Sequence, residues 1–158
     1  MIVESGAMKS DWIAVDNSGG RGYQSRHRGM NVSTMNAGEI KRILKEGIKD
    51  SGLSEVEGFY LYIAGVLTKN MDMELRDFIS RYVKCGEIDI QDDLTGAARG
   101  VCGHQPGIVA ILGTGSNVCT FDGCNAIRRA YSGGFILGDE GSAAALGRMF
   151  IGDFLKGL

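Results

Sequence analysis

The sequence predicts an α/β fold with a mixed sheet, and two patterns carry that prediction. Strand-like runs dominate the amino-terminal part, and after them helical stripes of apolar residues alternate with buried, β-branched strands. A second strand series begins at Gly107 with the run GIVAIL and passes through a turn into further strands. The predicted element order is therefore βββαβαβα, followed by βββ and a last helix.

Three strands open the chain. Ile2-Val3 and Trp12–Val15 are strand-like and enclose the polar turn Glu4–Asp11, and Arg21–Arg28 continues as a third strand with one polar face. Strands joined by so short a turn are expected to pair antiparallel, which makes this segment a three-stranded meander.

Helices and strands then alternate. Asn36 and Glu39 have the spacing of a capping box, which predicts that a helix begins there, and Gly52 is where this helix is expected to end. The elements predicted after it are a strand at Gly58–Val66, a helix with the apolar stripe Met71, Leu75, Phe78, Ile79 and Tyr82, a strand at Glu87–Ile90 and a helix at Leu94–Val101. Three strands followed by such units form a ribonuclease-H-like arrangement.

The most turn-like linker, His104–Gly107, marks the predicted lobe boundary. Residues 1–106 form the first ribonuclease-H-like lobe, and residues 107–158 form the first strands and a helix of an incomplete second lobe. The elements expected in that second part are a hairpin, a third strand at Asn125–Tyr131, a Gly-rich stretch at Ser132–Gly138 and a last helix that starts at Asp139–Ser142.

Composition limits the function classes. The chain has 158 residues, of which 44% are hydrophobic and 23% charged, as in ordinary globular domains. Its formal net charge of −2 gives no basic field for nucleic acid or for an anionic membrane, so neither partner is expected. The sequence has no long apolar span and no leader-like start at Met1, so a cytoplasmic location is expected. The four scattered cysteines lack a CxxC pair and are predicted to be free, buried thiols.

The turn after Leu112, Gly113–Asn117, is a candidate anion site. Two glycines flank a hydroxyl residue between two strands, which allows backbone N–H groups to face a phosphate without a Cβ in the way. An ordinary hairpin turn of Gly, Ser and Asn explains the same residues equally well. The turn alone does not decide between these two interpretations.

Three motifs in order resemble a known family. They are DDLTGAARG at Asp92–Gly100, ILGTGSN at Ile111–Asn117 and GDEGSA at Gly138–Ala143. The pattern resembles the N-acetylglucosamine kinase and BadF-type ATPase family, within the actin, sugar-kinase and heat-shock-chaperone superfamily, over nearly the whole chain. The resemblance implies ATP-dependent phosphorylation of an amino sugar with Mg²⁺, so a small-molecule sugar and ATP are the expected partners.

The resemblance also implies site residues. Asp93 matches the catalytic base, and Glu4 matches an acidic residue that holds Mg²⁺ through water. The implied phosphate contacts are Gly6, Lys9 and Ser10 in a first loop and Gly113, Thr114 and Gly115 in a second. The implied sugar contacts are Asn31, Thr114, Asn117 and Asp139.

Several of these residues have simpler explanations. From spacing alone Asp93 is an N-cap, Asp139 and Glu140 are first-turn acids favoured by a helix dipole, and Asn31 is a turn residue. The lone histidines, His27 and His104, have no ligand spacing and receive no role.

The chain departs from the family pattern in the first loop and in length. Glu4 stands where the family has aspartate, and Ala7 and Met8 lack the usual hydroxyls. Family members continue past the last helix through the region that holds adenosine. Two explanations stay open: the chain is a truncated or split gene product, or a homo-oligomer or a partner chain completes the second lobe. Two alternatives to a kinase stay open, namely a non-catalytic sugar-binding or regulatory remnant and a dehydratase-activator ATPase with an iron–sulfur cluster at Cys119 and Cys124.

Overall fold

The computed structural model describes residues 1–131 and 133–158, which form two compact units, Met1–Gly96 and Ala97–Leu158. The division falls inside a helix, whereas the sequence places the lobe boundary at the loop after that helix. The elements of the first unit are β1 (Ile2–Ser5), β2 (Lys9–Val15), β3 (Arg21–Arg28), α1 (Ala37–Ser51), β4 (Glu55–Ile63), α2 (Lys69–Ser80) and β5 (Lys84–Asp92), and α3 (Asp93–Cys102) begins in it. The predicted α/β order with a mixed sheet is confirmed.

The first unit is built on a five-stranded sheet in the order β3-β2-β1-β4-β5. The strands β1, β2 and β3 pair antiparallel, and β4 and β5 run parallel to β1. Alternate residues of these strands, with α1 and α2, form one apolar core that includes Val3, Trp12, Leu44, Leu61 and Leu75. The mixed pairing follows from the connections, because short turns allow antiparallel neighbours and helical crossovers require parallel ones.

Local signals fix the ends of α1. The Asn36 side chain accepts from the Glu39 backbone N–H at 3.0 Å, and the Glu39 carboxylate accepts from the Asn36 N–H at 3.1 Å, so the predicted capping box is present. Gly52 ends the helix with a φ of 65°, in the left-handed region that glycine adopts without a steric penalty.

The second unit holds a three-stranded antiparallel sheet. Its elements are β6 (Gly107–Leu112), β7 (Ser116–Phe121), β8 (Ala126–Arg129), the short α4 (Gly134–Leu137) and α5 (Ala143–Lys156), with the sheet order β6-β7-β8. The strand β8 is shorter than predicted, and the one-turn helix α4 occupies part of the predicted Gly-rich stretch. That stretch begins at Ser132, which lies outside the described residues.

The cysteine prediction needs a correction. All four cysteines are free thiols, but only Cys119, on β7, is buried. Cys124 is exposed because it lies in the turn that joins β7 to β8, and Cys85 and Cys102 are half-buried. Of the helices that the structure describes, none is both long and apolar enough to cross a membrane.

Candidate active site

The first unit gathers polar groups at the carboxyl ends of its parallel strands. Ser5 on β1, Ile63 on β4 and Asp92 on β5 are direct neighbours across the sheet, so these three strands end at one edge. Ligands in open α/β sheets bind outside this edge, because the loops that leave the strands there converge. The turn after β1, the loop after β4 and the start of α3 therefore form the candidate site of this unit.

The predicted first phosphate loop is the tight turn between β1 and β2. Gly29, just after β3, packs directly beneath it, since a Cβ at that position would lie 2.3 Å from the Gly6 carbonyl oxygen. The Gly29 N–H also donates to the Met8 carbonyl at 3.1 Å. The chain beside the turn is anchored by the Ser5 hydroxyl, which accepts from the Met30 N–H at 2.7 Å. The turn thus rests on backbone contacts that leave Ala7 and Met8 exposed.

Lys9 and Ser10, the other predicted residues of this loop, point to opposite faces of β2. The Lys9 side chain is exposed, and its Nζ lies 3.4 Å from a carboxylate oxygen of Asp11. Ser10 is fully buried; its hydroxyl donates to the Arg28 carbonyl at 2.9 Å and accepts from Nε1 of Trp12 at 3.0 Å. Since both bonds face the core, the structure gives Ser10 a structural role, and we exclude it from the proposed phosphate contacts.

Glu4 belongs to a group of carboxylates at this edge. It lies opposite Asp11 on β2 and opposite Tyr62 on β4. Partial burial raises the pKa of Glu4, and the charges of Asp11 and Asp93 raise it further, whereas Lys9 acts in the opposite direction. Asp11 itself is paired with Arg26 at 2.7 Å and with Lys9 at 3.4 Å, so two cations offset part of the carboxylate charge here. Among the residues described, no group of three or more His, Cys, Asp or Glu is arranged to hold a metal ion directly.

Asp93 is the first residue of α3, immediately after β5. Its Oδ1 accepts from the Leu94 N–H at 2.9 Å. The preceding Asp92 performs the capping, because its Oδ1 accepts from the Thr95 N–H at 2.9 Å, three residues along the helix. The alternative interpretation of Asp93 as the N-cap is therefore wrong, and the spacing argument missed the neighbouring aspartate.

Asn31 lies in the loop after β3 and bridges to Ala64, just beyond the end of β4. Its Oδ1 accepts from the Ser33 N–H at 2.8 Å, which is the bond of an Asx turn. Gly65, with a φ of 96°, approaches so closely that a Cβ there would lie 2.5 Å from that oxygen. The turn interpretation of Asn31 thus holds, and it places the side chain at the same edge as Glu4 and Asp93.

The second unit brings two of its motifs together. The turn between β6 and β7 is closed by a hydrogen bond from the Gly113 N–H to the Gly115 carbonyl at 2.9 Å. The carboxylate of Asp139 lies against this turn, since a Cβ at Gly115 would be 3.0 Å from its Oδ2. Asp139 has a φ of 59°, unusual for a residue other than glycine. ILGTGSN and GDEGSA therefore meet in space.

The helix α5 holds that turn from the other side. The backbone N–H groups of Ala143 and Ala144 donate to the carbonyls of Gly113 and Thr114 at 2.9 and 3.3 Å. Ser142 caps the helix through its hydroxyl, which accepts from the Ala145 N–H at 3.1 Å. The first-turn interpretation of Asp139 is therefore wrong, because α5 begins four residues later. Thr114 is exposed at the tip of the turn, and Asn117 is half-buried as the second residue of β7.

Some of the residues that support these turns were not expected. Gly29, Gly65 and Asp92 received no role from the sequence, although they set the positions of the first loop, of Asn31 and of α3. In the sequence, Gly29 and Gly65 show only that each follows a strand. Glycine is needed at both positions because each packs against residues that are distant in sequence.

The fold and the two turns define a protein of the sugar-kinase and actin-like fold class. In particular, the chain is similar to the putative N-acetylglucosamine kinase of Porphyromonas gingivalis, with 37% identity and a TM-score of 0.83 over 99% of this chain. It is also similar to the putative N-acetylglucosamine kinase of Chromobacterium violaceum, with 23% identity and a TM-score of 0.69 over 93% of this chain. The ethanolamine utilization protein EutJ of Carboxydothermus hydrogenoformans shares the fold at 14% identity, with a TM-score of 0.58 over 98% of this chain.

The predicted resemblance to N-acetylglucosamine kinases is confirmed, and the similarity supports a sugar-kinase function in general. The chain spans 57% of the P. gingivalis protein, 53% of the C. violaceum protein and 61% of EutJ. No protein-family model and no curated protein matches the chain. The membership in the BadF-type group stays a prediction.

Proposed function

We propose that this chain supplies the catalytic base and sugar-binding residues of an ATP-dependent amino-sugar kinase. The observation that carries the proposal is the position of Asp93, at the start of α3 and directly after β5 ends at the carboxyl edge of the sheet. The amino sugar, N-acetylglucosamine or a close relative, comes from the similarity to the P. gingivalis protein, which is described as a putative kinase of that sugar.

In this proposal Asp93 accepts the proton of the attacking sugar hydroxyl. Phosphoryl transfer needs positioning and charge stabilisation more than covalent chemistry. A carboxylate at a helix N-terminus is favoured in its ionised form by the helix dipole, which suits a base. Asn31, Thr114, Asn117 and Asp139 are the proposed partners of the sugar's polar groups, because amide, hydroxyl and carboxylate side chains match its donors and acceptors.

The proposed phosphate contacts are Gly6 and Lys9 in the first turn and Gly113, Thr114 and Gly115 in the second. Glycine-rich turns present backbone N–H groups to anions, and the Lys9 ammonium adds a positive charge. The missing hydroxyls at Ala7 and Met8 reduce the donors of the first turn to its backbone and Lys9.

A hydrated Mg²⁺ fits the carboxylates better than a directly ligated ion does. The charge of Asp93 raises the pKa of Glu4, and a divalent cation would relieve this repulsion between the two carboxylates. The described residues nevertheless form no three-ligand cluster. We therefore propose that Glu4 holds Mg²⁺ through water, where the ion would neutralise phosphate charge.

We also propose that a further polypeptide segment completes the second lobe and supplies the adenosine contacts. The helix α5 buries none of its described residues, and its exposed apolar side chains are Leu146, Met149, Phe150, Ile151, Phe154 and Leu155. A patch of this kind marks an interaction surface. The P. gingivalis protein, of which this chain covers 57%, has chain enough for such a segment.

The test is a coupled assay of ADP release with N-acetylglucosamine, other amino sugars and hexoses. The chain is assayed alone and mixed with a polypeptide made from the part of the P. gingivalis protein that it does not cover. We expect Asp93→Asn to lower kcat by about 10²- to 10⁴-fold, the usual contribution of a general base. Asp89→Asn, which removes a neighbouring carboxylate on β5, is the matched control and should retain turnover.

The substitutions in the first turn favour one alternative, a sugar-binding protein without catalysis. Ala7 and Met8 remove hydroxyl donors, and Met8 is 74% exposed. Calorimetry that detects sugar binding but no nucleotide binding, with no ADP release in either form of the assay, would support this alternative and contradict the kinase proposal.

A further inference from the structure

We propose that Tyr62 and Gly96 form a positioning contact that fixes the first turn of α3, and with it Asp93, on the sheet. This inference rests on the proposed function only for the role of Asp93 as base. The contact itself is a property of the first unit, and it can be tested without substrate. Neither residue is assigned a role by the resemblance.

Tyr62 and Glu4 are direct neighbours in adjacent strands. They face each other in the parallel pairing of β1 and β4, and Tyr62 also faces Gln91 on β5. Neighbours in this register present their side chains on the same face of the sheet. That face is opposite to the one on which Val3, Leu61 and Ile90 enter the apolar core.

Gly96 lies directly on the Tyr62 ring. A Cβ at Gly96 would be 2.6 Å from Cγ of Tyr62 and 2.8 Å from both its Cβ and Cδ1. These are atoms at the root of the side chain, which cannot swing aside as the end of a flexible chain can. Any residue larger than glycine must therefore displace either the ring or the first turn of α3.

The direction of α3 makes this contact relevant to Asp93. Residues three apart lie on the same side of a helix, so Asp93 and Gly96 face the same way. The contact of Gly96 with Tyr62 therefore also fixes the position of Asp93 at the start of α3.

Helix stability does not account for glycine here. Glycine is among the poorest helix formers, and alanine would serve better where space allows. Gly100, one turn later, shows the difference, because a Cβ there would meet no described atom within 4 Å. Gly96 and Gly100 therefore form a matched pair, because Gly96 contacts the sheet and Gly100 has space for a methyl group.

The first experiment measures hydrogen exchange of the amides of residues 94–97 by NMR. Wild type is compared with Gly96→Ala and with Gly100→Ala. We expect exchange to become about tenfold faster in Gly96→Ala, because the added methyl group displaces the first turn of α3 from the sheet, and to stay at the wild-type rate in Gly100→Ala. A folded Gly96→Ala protein with wild-type exchange at these amides would overturn the proposal.

A second variant decides the case in which Gly96→Ala does not fold. Tyr62→Ala removes the ring without adding atoms, and Tyr60→Ala is its control on the same face of β4. We expect hydrogen exchange of the amides of residues 94–97 to become about tenfold faster in Tyr62→Ala, because the first turn of α3 loses its support. Equal exchange in the two variants would contradict the contact.

The two proposals fail separately. If the wild-type chain binds no sugar and releases no ADP in either assay, the proposed function fails, while hydrogen exchange of residues 94–97 still tests the contact. Where turnover is measurable, Gly96→Ala should lower kcat and leave KM unchanged, as expected for a residue that positions the base and does not touch the sugar.

Discussion

At the residue scale, the polar side chains beside the first turn differ in role because successive residues of a strand point to opposite faces of the sheet. Lys9 is exposed, whereas Ser5 and Ser10 are fully buried and bonded within the first unit. The Ser10 hydroxyl links Trp12 in the core to the Arg28 carbonyl on the neighbouring strand. A residue next to a phosphate loop in sequence can therefore lie behind it in space.

Ser10→Ala should destabilise the protein without touching a ligand. The change leaves the buried Trp12 Nε1–H without its acceptor and removes the bond to the Arg28 carbonyl, so we expect a loss of about 1–3 kcal/mol in the free energy of unfolding. Urea unfolding measures it. Ser54→Ala, at an exposed residue, should change stability by less than about 0.5 kcal/mol. Equal stability of Ser10→Ala and wild type would show that these bonds contribute nothing.

The Glu4 carboxyl predicts a pH dependence of stability. Its pKa is raised in the folded state, so the folded protein binds this proton more tightly than the unfolded chain does. Stability from this group is present at low pH and is lost as pH rises from the unfolded pKa through the raised folded one. Glu4→Gln should therefore gain stability relative to wild type between about pH 4 and about pH 7, measured by urea unfolding.

Asp16 provides a control of opposite sign. Hydrogen bonds from the Ser18 hydroxyl and from the Gly20 and Ser18 N–H groups lower its pKa, so its contribution is present above the unfolded pKa. Asp16→Asn should then be less stable than wild type at about pH 7. If Glu4→Gln gains the same free energy of unfolding at about pH 4 and at about pH 7, the raised pKa of Glu4 does not explain the gain.

At the element scale, α1 is docked on Trp12 through a glycine. A Cβ at Gly47 would lie 2.4 Å from Cζ2 of the buried indole ring. We expect Gly47→Ala to destabilise the protein, because overpacking costs about 1–3 kcal/mol and exceeds the roughly 1 kcal/mol that alanine gains in helix propensity. Thermal and urea unfolding measure the change.

Gly152 in α5 is the matched control, since a Cβ there would meet no described atom within 4 Å. Gly152→Ala should stabilise by roughly 0.5–1 kcal/mol through helix propensity alone. If Gly47→Ala and Gly152→Ala are stabilised by the same amount, the Trp12 indole does not restrict the packing of α1.

The same scale shows what could be predicted from sequence. The capping box of α1, the strands and helices of the first unit and the start of α3 are local patterns, and each is found where predicted within a few residues. Gly29 beneath the first turn and Gly96 on Tyr62 depend on residues distant in sequence, so no spacing could reveal them. The cap was assigned to Asp93 instead of Asp92 because two adjacent aspartates satisfy the same pattern.

At the scale of the whole molecule, the two units differ in how completely they bury their apolar residues. The first unit has a continuous core beneath its five-stranded sheet. The second has a small sheet and a long helix whose apolar residues are exposed. This difference is the physical reason for proposing a further segment, because exposed apolar residues on this scale mark an interaction surface.

The most direct test of the account is a calorimetric titration of the chain with N-acetylglucosamine. We expect binding that weakens by about tenfold or more in Asp139→Asn, because a lost charge-assisted hydrogen bond costs about 1.5–3 kcal/mol, and that is unchanged in Ser18→Ala. Such a result would establish that the second unit contributes to an amino-sugar site. Absence of binding, or equal binding by Asp139→Asn and wild type, would contradict the central claim.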